Sequence, residues 1–249
     1  MNYRLRRVVL SIIALAGALT WLFVNPANYE EIDEDVPVPA VSDQTVALVD
    51  GDTTIDSGTT IEGPLARDIL EELAVKGRAP KTGYSREAFY NGWPTVDGCN
   101  LRQRIIKREF GDTAVLDGCT VLSGEYDEPY TGEHKVFTEK SQISSGVQID
   151  HVVALSDAWQ KGAQYMSEEI RYQIATDPLN LLAVDSKANQ QKSDGDAATW
   201  LPKNKRFRCE YVARQVSVKY KYSLWVTQAE KDAIAGILEK CPNQPAVGI

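Results

Sequence analysis

The chain has 249 residues, 43% of them apolar, with 27 basic and 35 acidic side chains and a net charge of −8. That length suits one domain of ordinary size with extra segments, or two small domains, and the apolar fraction is enough for a packed core. The balance is too acidic for a protein that grips nucleic acid through a broad basic excess, and no internal repeat or low-complexity tract points to a fibrous or repeat architecture.

The charge is unevenly placed. Residues 1–27 carry three arginines and no acid, residues 28–63 carry ten acids and no base, and residues 64–249 hold 24 bases against 25 acids. The first segment reads MNYRLRR and then VVLSIIALAGALTWLFV, a basic head on a 17-residue apolar run. This predicts either a signal peptide, with a small-residue site at Ala16-Gly17-Ala18, or an uncleaved membrane anchor. Either way Arg4, Arg6 and Arg7 stay inside and the rest is exported. Residues 28–63, acidic and punctuated by Pro37 and Pro39, predict a solvated, disordered linker. Residues 64–249 form the third unit, a single folded domain.

Export allows the four cysteines to pair, in three connectivities. Cys99–Cys119 and Cys209–Cys241 are favoured because each pair brackets one local unit. No C-x-x-C occurs, which argues against a zinc ribbon.

Order is expected from Pro64. The run PLARDILEELAVKG has Pro at a helix start, Leu65, Ile69 and Leu73 on one stripe, and Gly77 at the end. LRQRIIKREF, residues 101–110, predicts a second helix closed by Gly111. TVLSGEY, DEPYTG and HKVFTEK predict strands joined by a turn. VQIDHVVAL predicts the next strand and its exit, and NLLAV another after an amphipathic stretch. Asp185 or Ser186 can cap a helix that runs through Ala188 to Ser193, with Gly195 past its end. Residues 205–220 predict a helix, and Thr227-Gln228-Ala229-Glu230 is a capping box opening a last one, with Ile234, Ile237 and Leu238 toward the core. The fold class is α+β, a small β element flanked by helices.

One of only two histidines, His151, stands beside Asp150 at the edge of a strand. Alone, such a pair more often marks a structural histidine. Here it is followed in order by Asn180 beside a second strand and by Asn189-x-x-Lys192 on a short helix. The stretches IDHVVALSDAW (149–159), DPLNLLAV (177–184) and ANQQKSDGDAATWLPKN (188–204) resemble the HNH nucleases, whose ββα-metal core holds one divalent ion. Within them the chain is similar to the branch of the GmrSD restriction enzymes' C-terminal nuclease domain, and closer still to exported actinobacterial HNH proteins. The resemblance is strong over 148–242, with its motif core at 148–196. It is weaker from 83 to 135, through GYSREAF, GWPTVDGCNLRQRI and DEPYTG.

The resemblance implies a role for each residue. His151 is the general base, and a neutral imidazole with pKa near ~6.5 suits that task. Asp150 and Asn189 are the metal ligands, hard oxygens suited to one Mg²⁺ or Mn²⁺ ion acting as Lewis acid. Asn180 steadies the loop and orients the base, and Lys192, one turn after Asn189, meets the scissile phosphate. The implied products carry 5′-phosphate and 3′-hydroxyl ends. Neighbours on a regular strand face opposite ways, so Asp150 and His151 sharing a site predicts irregular backbone at 150–152.

Other polar and aromatic residues have plainer readings. His134 reads as a hairpin surface residue, and Trp159, Trp200 and Trp225 as core anchors. Lys203, Lys205, Arg206 and Arg208 form either a solvated face or a phosphate contact. Arg102 and Arg104 are closer to surface solvation than to the groove. The function expected is therefore an extracytoplasmic, metal-dependent endonuclease, with nucleic acid, DNA before RNA, as partner, and the membrane as a second partner if the N-terminal segment stays. The alternatives are a catalytically silent surface binding module on the same scaffold, or a hydrolase of another extracytoplasmic phosphodiester. The chain shows no P-loop, so NTP-driven, modification-dependent restriction is not carried over.

Overall fold

A computed structural model describes residues 63–248. The expected signal peptide or anchor (1–27) and all but the last residue of the acidic linker lie outside the described residues. Among the described residues, no helix is long and apolar enough to cross a membrane.

The elements are α1 (Ala66–Glu72), β1 (Thr95–Val96), β2 (Cys99–Asn100), α2 (Leu101–Phe110), β3 (Val115–Asp117), β4 (Thr120–Asp127), β5 (His134–Phe137), α3 (Lys140–Gly146), β6 (Val147–His151), α4 (Leu155–Gln160), α5 (Glu168–Thr176), β7 (Leu181–Asp185), α6 (Ser186–Lys192), α7 (Arg208–Lys221) and α8 (Gln228–Leu238). The strands form three small antiparallel sheets, β1-β2, β3-β4-β5 and β6-β7. The fold class is α+β, as the sequence predicts.

The β6-β7-α6 unit is central. Period-two alternation turns Val147, Ile149, Leu181 and Ala183 onto a core shared with Ile105, Ile106 and Phe110 of α2. Leu182 and Val184 face the other way, into a core with Leu70, Val212, Val216 and Ile234 from α1, α7 and α8. Fully burying each such side chain is worth about 1.5–3 kcal/mol. The ribbon is thus fixed from both faces. Asp185 caps α6 by accepting from the backbone N–H groups of Lys187 and Ala188, each at 2.9 Å.

Local signals place most boundaries well. Gly111 closes α2 with φ of 55°, a conformation that favours glycine. α1, however, stops at Glu72 rather than Gly77, because the chain beyond it is drawn out to bridge Val75 with Val226. The helix α3 was not foreseen in KSQISSG, whose serines and glycine are weak helix formers; burial of Ile143 holds it. Thr227 caps α8 by accepting from Glu230 N–H at 3.2 Å. The Glu230 carboxylate does not complete the capping box and turns into the core instead.

There it joins a cluster of six charges. Lys161 Nζ lies 2.7 Å from Asp157 Oδ1, 2.7 Å from Asp196 Oδ2 and 2.6 Å from Glu230 Oε2. Lys219 Nζ reaches Asp157 and Glu230 at 3.1 Å each. Arg78 closes the set on Asp157 and Asp196. Burial pulls the Lys219 ammonium down, but Asp157 and Glu230 outweigh it and raise its pKa. Three cations balance three anions, as buried charge requires. The cluster ties α4, the loop after α6, α7 and α8 together.

Burial pushes the Asp196 carboxyl up, but the hydrogen bond and charge of Lys161, with the charge of Arg78, bring it down to about 2. The unfolded value is near ~3.9. This contribution to stability is therefore fully present above about pH 4 and is lost as pH falls through about 2. Urea midpoints measured across that window should fall more steeply for the parent than for D196N.

The cysteines pair as favoured, Cys99 with Cys119 and Cys209 with Cys241, at Cα separations of 5.5 and 6.4 Å. Cys209–Cys241 links the first turn of α7 to the chain after α8 across 32 residues. Replacing both by serine should lower stability by about 3–4 kcal/mol through loop entropy, read from urea unfolding.

Candidate active site

β6 carries Asp150 and His151 at its end. Pairing with β7 is regular through both residues, Asp150 opposite Leu182 and His151 opposite Leu181. The irregular backbone expected at 150–152 begins only at Val152, where the chain bends. Asn180 pins that bend. Its carbonyl accepts from Val152 N–H and its side-chain Oδ1 from Val153 N–H, both at 2.8 Å, while Nδ2 donates to the carbonyls of Ile174 and Val153. It is wholly buried and touches backbone alone in these bonds.

A cleft of about 340 Å³ opens over the end of the strand, lined by Gln148, Asp150, His151 and Asn189 on one side and by Lys81, Tyr84 and Arg86 on another. Strand alternation holds, and the two neighbours share the cleft because it straddles the strand's end. The ring of His151 lies parallel to Trp93, at 10° and 5.9 Å between centroids, with Tyr90 against it at 5.9 Å. His151 Nε2 stands 3.0 Å from the carbonyl oxygen of Ala175. A carbonyl only accepts, so Nε2 carries the hydrogen and Nδ1 is the bare, basic nitrogen. Nδ1 has no hydrogen-bond partner among the described residues. Burial, reinforced by the Arg86 charge, pushes the imidazole down to about 3, so it is neutral at ordinary pH.

Asp150 is 5% exposed. Oδ1 accepts from Lys192 Nζ at 3.0 Å and Oδ2 from the Tyr130 hydroxyl. Burial raises its carboxyl above the usual range, against the lowering pull of Lys192 and Tyr130. Tyr130 comes from the turn DEPYTG. Glu128, wholly buried, accepts there from the N–H groups of Tyr130, Thr131 and Asp185, which locks the turn to the start of α6. On α6, Asn189 Nδ2 donates to Gln148 Oε1 at 2.9 Å, an orientation that turns the Asn189 amide oxygen away from Gln148.

Lys192 does not take the place expected of it. Its side chain is fully buried, and Nζ also donates to the His151 carbonyl at 2.8 Å. It lies behind Asp150 and does not line the cleft. Gly195 allows the chain to close over it, since a Cβ there would stand 2.9 Å from the Lys192 carbonyl oxygen.

The expected basic groups lie elsewhere. Lys203, Lys205 and Arg206 line a separate groove shared with Glu109, Asp127 and Glu128, and Arg208 donates to Pro202 O. Arg102 donates to Val147 O, and Arg104 pairs with Asp97. His134 sits on the β4-β5 hairpin beside Asp127, at 2.8 Å, as a surface residue. Trp200 packs with Tyr130 and Tyr211, and Trp159 with Tyr84 and Phe89, while Trp225 stacks on the exposed Tyr165. The cations facing the cleft that the sequence does not mark are Lys81, paired with Asp194 at 2.9 Å, and Arg86, an exposed guanidinium without a carboxylate partner among the described residues. Trp93 and Tyr90 were missed with them. GYSREAF and GWPTV belong to the weaker part of the resemblance, but nothing within them marks which side chain meets His151.

Among the described residues no three His, Cys, Asp or Glu gather as a metal cluster. Asp194 also lines the cleft but is engaged by Lys81 and Ser156; the Asp150 carboxylate and the Asn189 amide fit a small hard cation that keeps most of its water and is completed by phosphate, rather than an all-protein cage. A carboxylate has about four lone-pair positions, so Asp150 retains room beside its two donors.

Fold and cleft together define an α+β domain with a ββα centre, consistent with a nuclease-like domain. Residues 101–237 match GmrSD restriction endonucleases, C-terminal domain, and the chain belongs to that family. It is also 36% identical over 179 residues to an uncharacterized secreted protein of Arthroderma benhamiae, covering 71% of this chain and 84% of the relative. No solved structure matches the chain. The matched segment contains Asp150, His151, Asn180, Asn189 and Lys192; the wall carrying Lys81 and Arg86 precedes it.

Proposed function

We propose that the protein is a metal-dependent HNH endonuclease that hydrolyses DNA phosphodiester bonds outside the cytoplasm. The observation that carries this reading is the His151 imidazole, held by Ala175 O as the tautomer with a bare Nδ1, in one cleft with Asp150 and Asn189. In this reading Nδ1 takes the proton from a water molecule positioned against phosphorus. Trp93 and the Ala175 carbonyl hold the ring in plane, and Asn180 fixes the bend that aims it. Arg86 and Lys81, on the other wall, hold phosphate oxygens. Asp150 and Asn189 hold a divalent ion, Mg²⁺ or Mn²⁺, which when bound supplies Lewis-acid neutralisation of the phosphoryl charge and the departing oxygen. Action outside the cytoplasm is supported by the two disulfides and by the secreted relative. Anchoring through residues 1–27 belongs to the same reading if that segment is retained.

The test is a plasmid assay on the purified full chain across a metal series. Mg²⁺ or Mn²⁺ should support nicking and EDTA should stop it, with 5′-phosphate at the cut ends. Parallel assays on RNA and on a small diester rank the substrates. Cutting that persists unchanged in EDTA excludes the metal-dependent reading.

A further inference from the structure

Lys192 follows Asn189 by three residues on α6, yet its amine is placed behind the site rather than in it. Lysine is almost never fully buried unless paired. Here the pairing partner is Asp150, 3.0 Å away, and the second bond goes to the His151 carbonyl. The other oxygen of Asp150 is taken by the Tyr130 hydroxyl, an uncharged donor. Without Lys192 the carboxylate would be a buried and uncompensated charge, a strongly unfavourable state.

A divalent cation approaching Asp150 therefore meets a carboxylate that already has a counter-charge. We infer that Lys192 is a positioning residue that acts as the internal counter-cation of Asp150. It keeps the carboxylate aimed in the free protein and makes metal binding there weak. Substrate phosphate brings the negative charge that Lys192 has cancelled, so the ion and the substrate enter together. This rests on Asp150 being the metal ligand of the proposed function. Tyr130 contributes aim without charge, which separates the two neighbours of Asp150 experimentally.

The test is Mn²⁺ binding to the full chain without nucleic acid, by calorimetry and by the shift of the unfolding temperature with added Mn²⁺. K192M keeps the volume and removes the charge. It should bind Mn²⁺ roughly tenfold or more tightly than the parent and gain a larger Mn²⁺-dependent rise in unfolding temperature. Y130F should show no such gain. If K192M does not fold alone, Mn²⁺ should restore its folding, and a failure to do so overturns the inference. Affinity in K192M equal to or below the parent's, with loss of binding in D150N, overturns the counter-cation role and leaves the metal assignment standing. Binding undiminished in D150N removes the metal assignment itself.

Discussion

His151→Ala is expected to lower the rate of plasmid nicking by roughly 10²–10⁴-fold while DNA binding persists. The reason is positional as well as chemical. The imidazole is the group in the cleft with a bare basic nitrogen fixed by a hydrogen bond on its opposite side. Its depressed pKa keeps it unprotonated, so the substitution removes the base of the proposed mechanism and not a counter-charge. The ring also fills space against Trp93 and Tyr90, so thermal unfolding of the variant must be followed in parallel. A folded H151A protein that cuts as fast as the parent would show that His151 is not the base.

Lys161→Met is expected to destabilise the protein by about 3–5 kcal/mol. The Lys161 side chain is fully buried and meets Asp157, Asp196 and Glu230, all within 2.7 Å. Its loss leaves three buried carboxylates facing two cations. For a domain of this size the unfolding temperature should drop by roughly 6–20 °C. The double variant K161M/E230Q removes one orphaned charge and should recover part of the loss. A K161M protein as stable as one altered at the exposed Lys203 would mean that the cluster is no brace. The effect bears on function too, because Asp157 lies just beyond the His151 bend and Asp196 just beyond α6.

The order of elements around the site was legible because it rests on short-range rules. Asp185 caps α6 through backbone groups two and three residues on, Gly111 closes α2 through its own φ, and each disulfide encloses one local unit. The set Asp150, His151, Asn180 and Asn189 came from motif order; strand pairing with a short helix brings Asp150, His151 and Asn189 to one cleft, while Asn180 is buried under the bend after His151. Side chains with several partners within reach were not legible. Lys192 has the right spacing to face a phosphate but turns inward, because Asp150, 42 residues away in sequence, is the nearest charge it can neutralise. Glu230 fits a capping box, yet its carboxylate is held by two buried lysines instead of the Thr227 N–H. Arg86 and Trp93 carry no local mark of their place beside His151.

By itself the sequence determined the α+β class, the ββα order and the caps at Gly111, Asp185 and Thr227, and favoured among three connectivities the cysteine pairing that is found, since each depends on residues within a turn or a loop of one another. The tertiary structure decided which long side chains face the cleft and which are buried as counter-charges. That choice follows from the cost of leaving a charge unpaired in the interior, and the partner that relieves it is visible only when distant segments are in contact.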